Sequence, residues 1–533
     1  MADSSSGTAG AVPATGRAGD IEPGPGVPTI PIPFKGGPAA AKPHPTRGRV
    51  GVTGTVLDRL RSICEVSIDE DEVGDASRDW WPLGMAWALE GELAGRARAV
   101  VKPTEATQVG EVLHVCDIAK IPVTAAGGRS GVSGATVPIF GGVILDMCGL
   151  SGIRDVDSAS LVVDVGPGTF GDRFEAALRS EHGLTCGHWP QSMTLSTVGG
   201  WVACRGAGQF STRYGKIEDM VVGLDVALAD GTTITTGGYP RTATGPDLTQ
   251  LFVGSEGTLG VITGVRLRTH PAPVTELRGA WSVASLNDGL DAFRRILQRG
   301  ATPAVLRLYD PTESKRNFAL DDGRCAVIVL DEGDPAVIDG MWQVVDSELA
   351  GAETLDPVFV GRWLEHRNEV SQLESLISGG IVVDTMEVSG GWSTLPAVYE
   401  AAMEAIGSFD ETLSVSAHCS HSYTDGACLY FTFAGRPAEV GADGRPTPTA
   451  KDRYYRAVWD AGTRAVLEAG GSLSHHHGVG LNRSRFMDEA LGAGMGLLIA
   501  MKSVLDPNHI LNPGKLGIPS PWGLPDLPKV QPL

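Results

Sequence analysis

From Ala99 onward, short apolar runs alternate with segments whose apolar residues recur at helical spacing. "AVVKP", 99–103, reads as extended. "TEATQVGEVLHVCDIAK", 104–120, has helical spacing, with Thr104 as the expected N-cap. "IPVTAAGG", 121–128, is a short strand running into glycines. "GGVILDM", 141–147, and "LVVDVGPG", 161–168, are further strands, and "FGDRFEAALRSEHG", 170–183, is a helix. "MVVGLDVALADGTTITTGG", 220–238, predicts two strands joined by an Asp230-Gly231 turn. Residues 50–272 therefore read as one α+β domain with many short strands.

Beyond Pro273 the pattern changes. "LRGAWSV", "LNDGLDAFRRILQRG", "AVLRLYD" and "CAVIVLDEG" precede a helix near 334–349. That order predicts a second domain, 273–470, an α/β sandwich around an antiparallel sheet. Helices follow at 395–408 and 452–469, and 434–450 reads as an exposed loop. A final segment, 471–533, holds a histidine-rich loop and a last helix at 486–505, expected to pack back on the first domain. Residues 1–49 are rich in Gly, Pro, Ala and Ser and are expected to be disordered, because such a stretch buries too little apolar area to offset its ordering entropy.

At 533 residues the chain is too long for one core, which agrees with two or more domains. A formal charge of −20 argues against a nucleic-acid surface and against attraction to anionic lipid. The 8 cysteines form no CxxC pair, so a zinc ribbon or a thioredoxin-type site is not expected. The first residues have no basic-then-apolar signal pattern, and no 18-residue apolar run occurs. A cytoplasmic setting with free thiols is expected.

Three loops carry candidate chemistry. "AAGGRSGVSGA", 125–135, follows a strand, and its glycines let backbone N–H groups approach a phosphate. It is neither a Walker A loop nor a good GxGxxG, so alone it is as well explained by a structural turn. "GHWPQSMTLSTVGGWVACRGAGQFSTRYGKIEDMVVGL", 187–224, offers many donors and little bulk, which suits a long polar ligand. The third is "LTQLFVGSEGTLGVITGVRLRTHPAP", 248–273.

Together these stretches resemble the FAD-binding domain of the vanillyl-alcohol oxidase type (the PCMH-type domain). "GSEGTLGVIT" is the most specific of them, and "LDPNHILNPGK", 505–515, resembles a frequent ending of that superfamily. The resemblance implies an α+β fold: a two-subdomain FAD-binding domain, a cap domain and a helical C-terminal segment. It implies that Gly127, Gly128, Arg129, Ser130 and Gly131 cradle the pyrophosphate. Gln191, Ser192, Ser196 and Thr197 would line the flavin, with Cys204 and Arg205 near it. The run Glu256, Gly257, Thr258, Leu259, Gly260, Val261 and Ile262 would supply backbone contacts. Many relatives attach FAD through a histidine of the first loop. None lies between 121 and 140 here, so non-covalent FAD is expected.

"GGSLSHHHGVG", 470–480, resembles the alkyldihydroxyacetonephosphate synthases. That likeness implies catalytic roles for Tyr430 in "DGACLYFTF", for His475, His476 and His477, for Arg307 in "PAVLRLYD" and for His188 in "GHWPQS". Arg367 in "WLEHRNE" would bind substrate phosphate. The implied reaction exchanges the acyl group of acyl-dihydroxyacetone phosphate for a fatty alcohol, with the flavin as covalent catalyst and no net redox change. The alternative is an FAD-dependent oxidoreductase on a D-2-hydroxy acid or related alcohol. It would use His476 or His477 as base and Arg307 or Arg367 for the carboxylate. A non-catalytic flavin-binding scaffold is a third reading. No metal is expected, because three successive side chains of a regular element diverge and no HExxH spacing is present. The expected partners are a small-molecule or lipid-precursor substrate and a second copy of the chain, with no nucleic acid and with peripheral membrane contact left open.

Bland explanations stand beside each residue. His188 and Tyr430 fit packing in a core. Arg367 fits a solvated helix position. Arg307, alternating with Leu306 and Leu308, fits either a surface or a cleft.

Overall fold

A computed structural model describes residues 18–44, 48–523 and 525. The fold is α+β. A four-stranded sheet has the order Glu65–Ser67, Ala99–Lys102, Val143–Asp146, Val123–Ala126. Its last three strands are mutually parallel, and helix Ala106–Ala119 provides the crossover, burying Val109, Val112, Leu113 and Cys116 against them. A second sheet of five strands is antiparallel throughout. It contains the hairpin Val221–Ala227/Thr233–Gly237, with Gly231 at φ +91, as its Asp-Gly turn predicts.

The third sheet has seven antiparallel strands in the order Glu353–Leu355, Thr275–Val283, Cys325–Gly333, Val305–Tyr309, Thr412–Ser422, Gly426–Gly435, Val382–Gly391. Side-chain alternation gives it two buried faces. Val327 and Val329 point to helices Leu286–Gln298, Pro335–Glu348, Leu395–Gly407 and Pro448–Glu468. Ala326, Ile328 and Leu330 point the other way, into a core shared with Trp189, Trp201 and Phe210 of the second glycine-rich stretch. The near-continuous apolar run "CAVIVL" is the sequence trace of a strand covered on both faces.

Three local expectations are corrected. Described residues of the N-terminal segment are packed rather than disordered: Ala18, Ile32 and Phe34 are buried, and Lys35, Lys42 and His44 donate backbone hydrogen bonds to Ala88, Gly91 and Leu93. A few apolar anchors and these bonds offset an ordering entropy that average composition overstates. Residues 1–17 and 45–47 lie outside the described residues. At the start of helix Ala106–Ala119 the cap is Glu105, not Thr104. Gln108 Oε1 accepts from the amides of Thr104 and Glu105, at 2.8 and 3.1 Å. The last helix is two, Met487–Leu491 and Gly494–Leu505, broken where Gly492 adopts φ +51.

After Leu505 the chain returns to the first domain. Leu511 bridges Val123 in parallel, and Asn512 N donates to Val123 O at 2.8 Å. The histidine loop spans two regions: Ser472 N donates to Ser389 O on strand Val382–Gly391, and Leu481 N donates to Ser133 O in the first glycine loop, both at 2.8 Å.

Candidate active site

The first two glycine loops meet backbone to backbone. A Cβ at Gly127 would overlap the Thr197 hydroxyl, and one at Gly128 would overlap the Leu195 carbonyl oxygen. Arg129 sits at φ +56, a left-handed conformation that redirects successive N–H groups, as in anion-binding nests. Gly131 O accepts from Trp80 N at 2.9 Å, which ties the end of the cradle to the chain before it. In the second loop Ser196 Oγ donates to Ser192 O and accepts from Trp201 Nε1, at 2.8 and 2.7 Å. The Thr197 hydroxyl is buried with no partner. A buried hydroxyl at a glycine-lined junction is the group a dinucleotide phosphate or ribityl oxygen would satisfy. A cavity of about 250 Å³ is lined by Gly168, Phe170 and Arg173, and Phe170 touches the Gly128 position. These residues fit FAD.

The third loop behaves differently from expectation. Glu256 N donates to Ala203 O at 2.9 Å, and Glu256 O accepts from Asn512 Nδ2 at 2.7 Å. Thr258 O accepts from Lys502 Nζ at 2.7 Å. Val261 and Ile262 are paired with Ala227 and Val226 in the five-stranded sheet. The backbone groups of Glu256 and Thr258 named here are thus spent within the protein. The Glu256 side chain is used instead, accepting from Val479 N at 2.5 Å and Gly480 N at 2.9 Å. Gly257, Leu259 and Gly260 complete the turn beneath it. Cys204 Sγ lies 3.9 Å from His476 O, whereas Arg205 turns outward to Glu218 at 3.2 Å. Gln191 is exposed and donates weakly to Glu369 O at 3.4 Å.

A second carboxylate holds the other end of the histidine loop. Glu387, fully buried on strand Val382–Gly391, accepts at Oε1 from the amides of His475, His476 and His477, at 3.2, 3.1 and 2.8 Å. The same oxygen accepts from Ser474 Oγ at 2.5 Å and Arg483 Nη1 at 3.0 Å, and Oε2 pairs with Arg483 Nη2. His477 Nδ1 is 3.0 Å from Oε2. Burial alone would raise the Glu387 pKa, but Arg483 and His477 hold it well below the usual carboxylate range.

With its main chain clamped, the loop presents its rings to strand Thr412–Ser422 and to Tyr430. Tyr430 lies 5.9 Å from His476, 5.5 Å from His477 and 4.9 Å from His418 between ring centres, and its hydroxyl donates to Thr385 Oγ1 at 3.1 Å. Burial raises the Tyr430 pKa, so the phenol stays protonated. His475 and His476 are held well below the usual imidazole range. Burial is the main cause, with the charge of Lys216 next for His475 and that of His477 next for His476. Both are neutral bases near pH 7. The residues expected at 430 and 475–477 are therefore brought together.

Two guanidinium groups stand against the Trp363 ring. Arg307 is buried, donates from Nε to Tyr309 OH at 2.9 Å, and stands 5.2 Å from the Trp363 ring. Arg367 is no solvated helix residue: it is enclosed by Trp189, Phe210 and Trp363. Its Nη2 donates to Ala18 O at 2.7 Å, Nη1 is buried without a partner, and burial lowers its pKa to about 10. His188 stands apart from the cluster. Its ring packs on Trp201 at 4.5 Å with both nitrogens unpartnered, and burial pushes its pKa down to about 3.

His421, Tyr423, Ser211, Glu387 and Arg483 were not singled out from the sequence. The available signal was the histidine density of "AHCSHSY" and the two acids, Asp384 and Glu387, in the apolar strand "VDTMEVSGG". One ring nitrogen each of His421, His475 and His476 lies within 4.8 Å of the others, a spacing that a metal ion could bridge. Both nitrogens of His475 are, however, already in hydrogen bonds, to His476 Nδ1 at 2.9 Å and to Tyr423 OH at 3.0 Å.

Glycine-built loops joined through Ser133 to a buried cluster of neutral imidazoles and a phenol fit a flavoenzyme. Residues 97–237 match the FAD binding domain family model, and residues 273–516 match that of the FAD linked oxidases, C-terminal domain. The chain is 32% identical over 436 residues to an uncharacterized FAD-linked oxidoreductase, YgcU, of Escherichia coli (strain K12), covering 78% of this chain and 88% of that one. The chain belongs to the FAD-linked oxidoreductase family, and its cofactor is FAD. It is 26% identical over 467 residues to alkyldihydroxyacetonephosphate synthase of Dictyostelium discoideum, covering 80% and 74% of the two chains. A solved alkyldihydroxyacetonephosphate synthase shares the fold with a TM-score of 0.71 at 22% identity, over 88% of this chain and 87% of that one. Among the described residues no helix is long and apolar enough to cross a membrane.

Proposed function

We propose that the protein exchanges the acyl group of acyl-dihydroxyacetone phosphate for a fatty alcohol, forming an ether, with FAD held non-covalently. The observation that carries this reading is the enclosure of Arg367, a buried guanidinium with an unpartnered Nη1. Such a group suits a phosphate, which forms charge-assisted hydrogen bonds with it. The synthase relatives, by name, make a phosphate ester of dihydroxyacetone. Bound FAD supplies the reactive ring that makes the exchange possible. Around it this chain's own residues bind and move protons. Arg367 holds the phosphate, and Arg307 stands by the same Trp363 ring. His476 takes the proton of the incoming alcohol, and the Tyr430 phenol, kept protonated by burial, donates a hydrogen bond to the departing carboxylate.

A second reading is oxidation of a D-2-hydroxy acid, supported by the 32% identical oxidoreductase. His476 then takes the hydroxyl proton and the same arginines hold the carboxylate; bound FAD would supply the hydride acceptor.

Anaerobic visible spectra of the purified holoenzyme separate the two. Palmitoyl-dihydroxyacetone phosphate plus hexadecanol is expected to yield hexadecyl ether with the flavin oxidised after turnover. Bleaching by D-lactate or glycolate, reversed by air, with no ether formed, would replace the first reading by the second. Acid precipitation is expected to release the flavin into the supernatant; a yellow pellet would mean a covalent bond.

A further inference from the structure

Five side chains at the site form one continuous hydrogen-bonded path. His476 Nδ1 meets His475 Nδ1 at 2.9 Å, and His475 Nε2 meets Tyr423 OH at 3.0 Å. Tyr423 OH meets Ser211 Oγ at 3.3 Å, and Ser211 Oγ meets His421 Nδ1 at 2.8 Å. His421 Nε2 and His476 Nε2 make no hydrogen bond among the described residues, and the two rings lie 4.9 Å apart between centres. The path therefore starts and ends at neighbouring imidazoles.

Every member is amphoteric. A neutral imidazole carries one N–H and one lone pair, and a hydroxyl both donates and accepts. With both hydroxyl hydrogens kept inside the path, the four bonds can be satisfied in only two ways. In one, His476 Nδ1–H donates to His475, His475 Nε2–H to Tyr423, Tyr423 O–H to Ser211 and Ser211 O–H to His421. His476 Nε2 is then a bare lone pair and His421 Nε2 carries a hydrogen. In the other, every bond is reversed: His476 Nε2 carries the hydrogen and His421 Nε2 is bare. The first state becomes the second when a proton arrives at His476 Nε2, each intervening hydrogen moves to its acceptor, and one proton leaves from His421 Nε2. Charge and atoms balance, and no group is left ionised.

We propose that this is a closed proton relay whose two poles, His476 and His421, give the site one base and one acid that exchange roles in a single shift. His475, Tyr423 and Ser211 are its positioning residues. A proton taken from an incoming hydroxyl at one pole is matched by a proton delivered at the other, within the same chamber. The burial that keeps His421, His475 and His476 well below the usual imidazole range favours passing a proton on over storing it. The charged and titratable groups facing the path are Lys216, Glu387, Arg307, His418 and His477, with Glu218, Asp219 and Cys428 around Tyr423. The inference rests on the reading of His476 as the site's base, and it serves either reaction proposed above.

Tyr423→Phe removes one hydroxyl from the middle and keeps the ring. In the holoenzyme kcat is expected to fall about 10²-fold with KM little changed, and Ser211→Ala is expected to do the same. The readout independent of turnover is ring-¹⁵N labelling of the 12 histidines, with His421, His475 and His476 assigned by substitution. Tyr423→Phe is expected to shift the ring nitrogens of His421, two hydrogen bonds away, and Ser211→Ala those of His475. If the distant rings do not move, the relay is overturned, whatever the enzyme turns over. Stoichiometric divalent metal in the purified enzyme, lost in His421→Ala, would also overturn it. If the coupling is present but neither substrate reacts, the relay stands and the proposed reaction falls.

Discussion

The first glycine loop, the candidate cradle, meets the histidine loop at Ser133, and the two are built by opposite means. The cradle is main chain: glycines 127 and 128 stand where any Cβ would strike Thr197 or the Leu195 carbonyl. The histidine loop gets its shape from outside. Glu387 gathers three successive amides at one end, and Glu256 gathers two at the other. These carboxylates come from two different sequence-distant elements. A cradle of glycines places backbone N–H groups where a phosphate can meet them. A loop clamped by side chains fixes its own rings, at the cost of burying charge that must be matched by Arg483.

The strongest way to break this contrast is Glu387→Ala. It leaves Arg483 buried without a counter-charge and three amides without an acceptor. The free energy of unfolding in urea is expected to fall by about 3–5 kcal/mol. A loss below about 1 kcal/mol would mean that the clamp does not hold the loop.

Thr197→Val probes the cradle instead. Its hydroxyl is buried with no protein partner, so the apo-protein should unfold at an unchanged urea midpoint. FAD affinity, measured by titration of the apo-protein, is expected to weaken by roughly 10–100-fold, the worth of a hydrogen bond to a charged group. Unchanged affinity would place the cofactor away from this hydroxyl.

His188 sharpens the comparison through pH. Its native pKa of about 3 lies below the ordinary imidazole value of 6.5. Below about pH 6.5 the unfolded chain binds a proton that the native state refuses. Stability is thus intact above that pH and falls as pH drops, by about 1.4 kcal/mol per pH unit for this one residue. His188→Phe is expected to flatten the urea-midpoint profile below pH 6.5 by that slope. An unchanged profile would mean that His188 takes up a proton in the native state.

Much of the architecture was legible because its signals are local. The Asp230-Gly231 hairpin, the helix over 171–182 and the strand "CAVIVL" each declare themselves within a dozen residues. The broken last helix was not legible, since a single Gly492 within an apolar stretch does not announce φ +51. Nor was the packing of residues 18–44, where Ile32 meets Met85, Ile377 and Val383 across the fold.

The same distinction runs through the site. The chain by itself marked the glycine-rich loops where backbone must approach closely, because glycine is chosen for conformations and approaches that no other residue allows. It also determined that Tyr430 and the three histidines belong to one centre, although through resemblance rather than spacing. Only the tertiary structure decided how those groups act. Glu387 lies 88 residues from His475, and Ser211 lies 210 residues from His421. Hydrogen bonds at such separations have no periodicity to betray them: a carboxylate, a serine and a tyrosine look like any others until the sheets bring them within 3 Å or so of their partners.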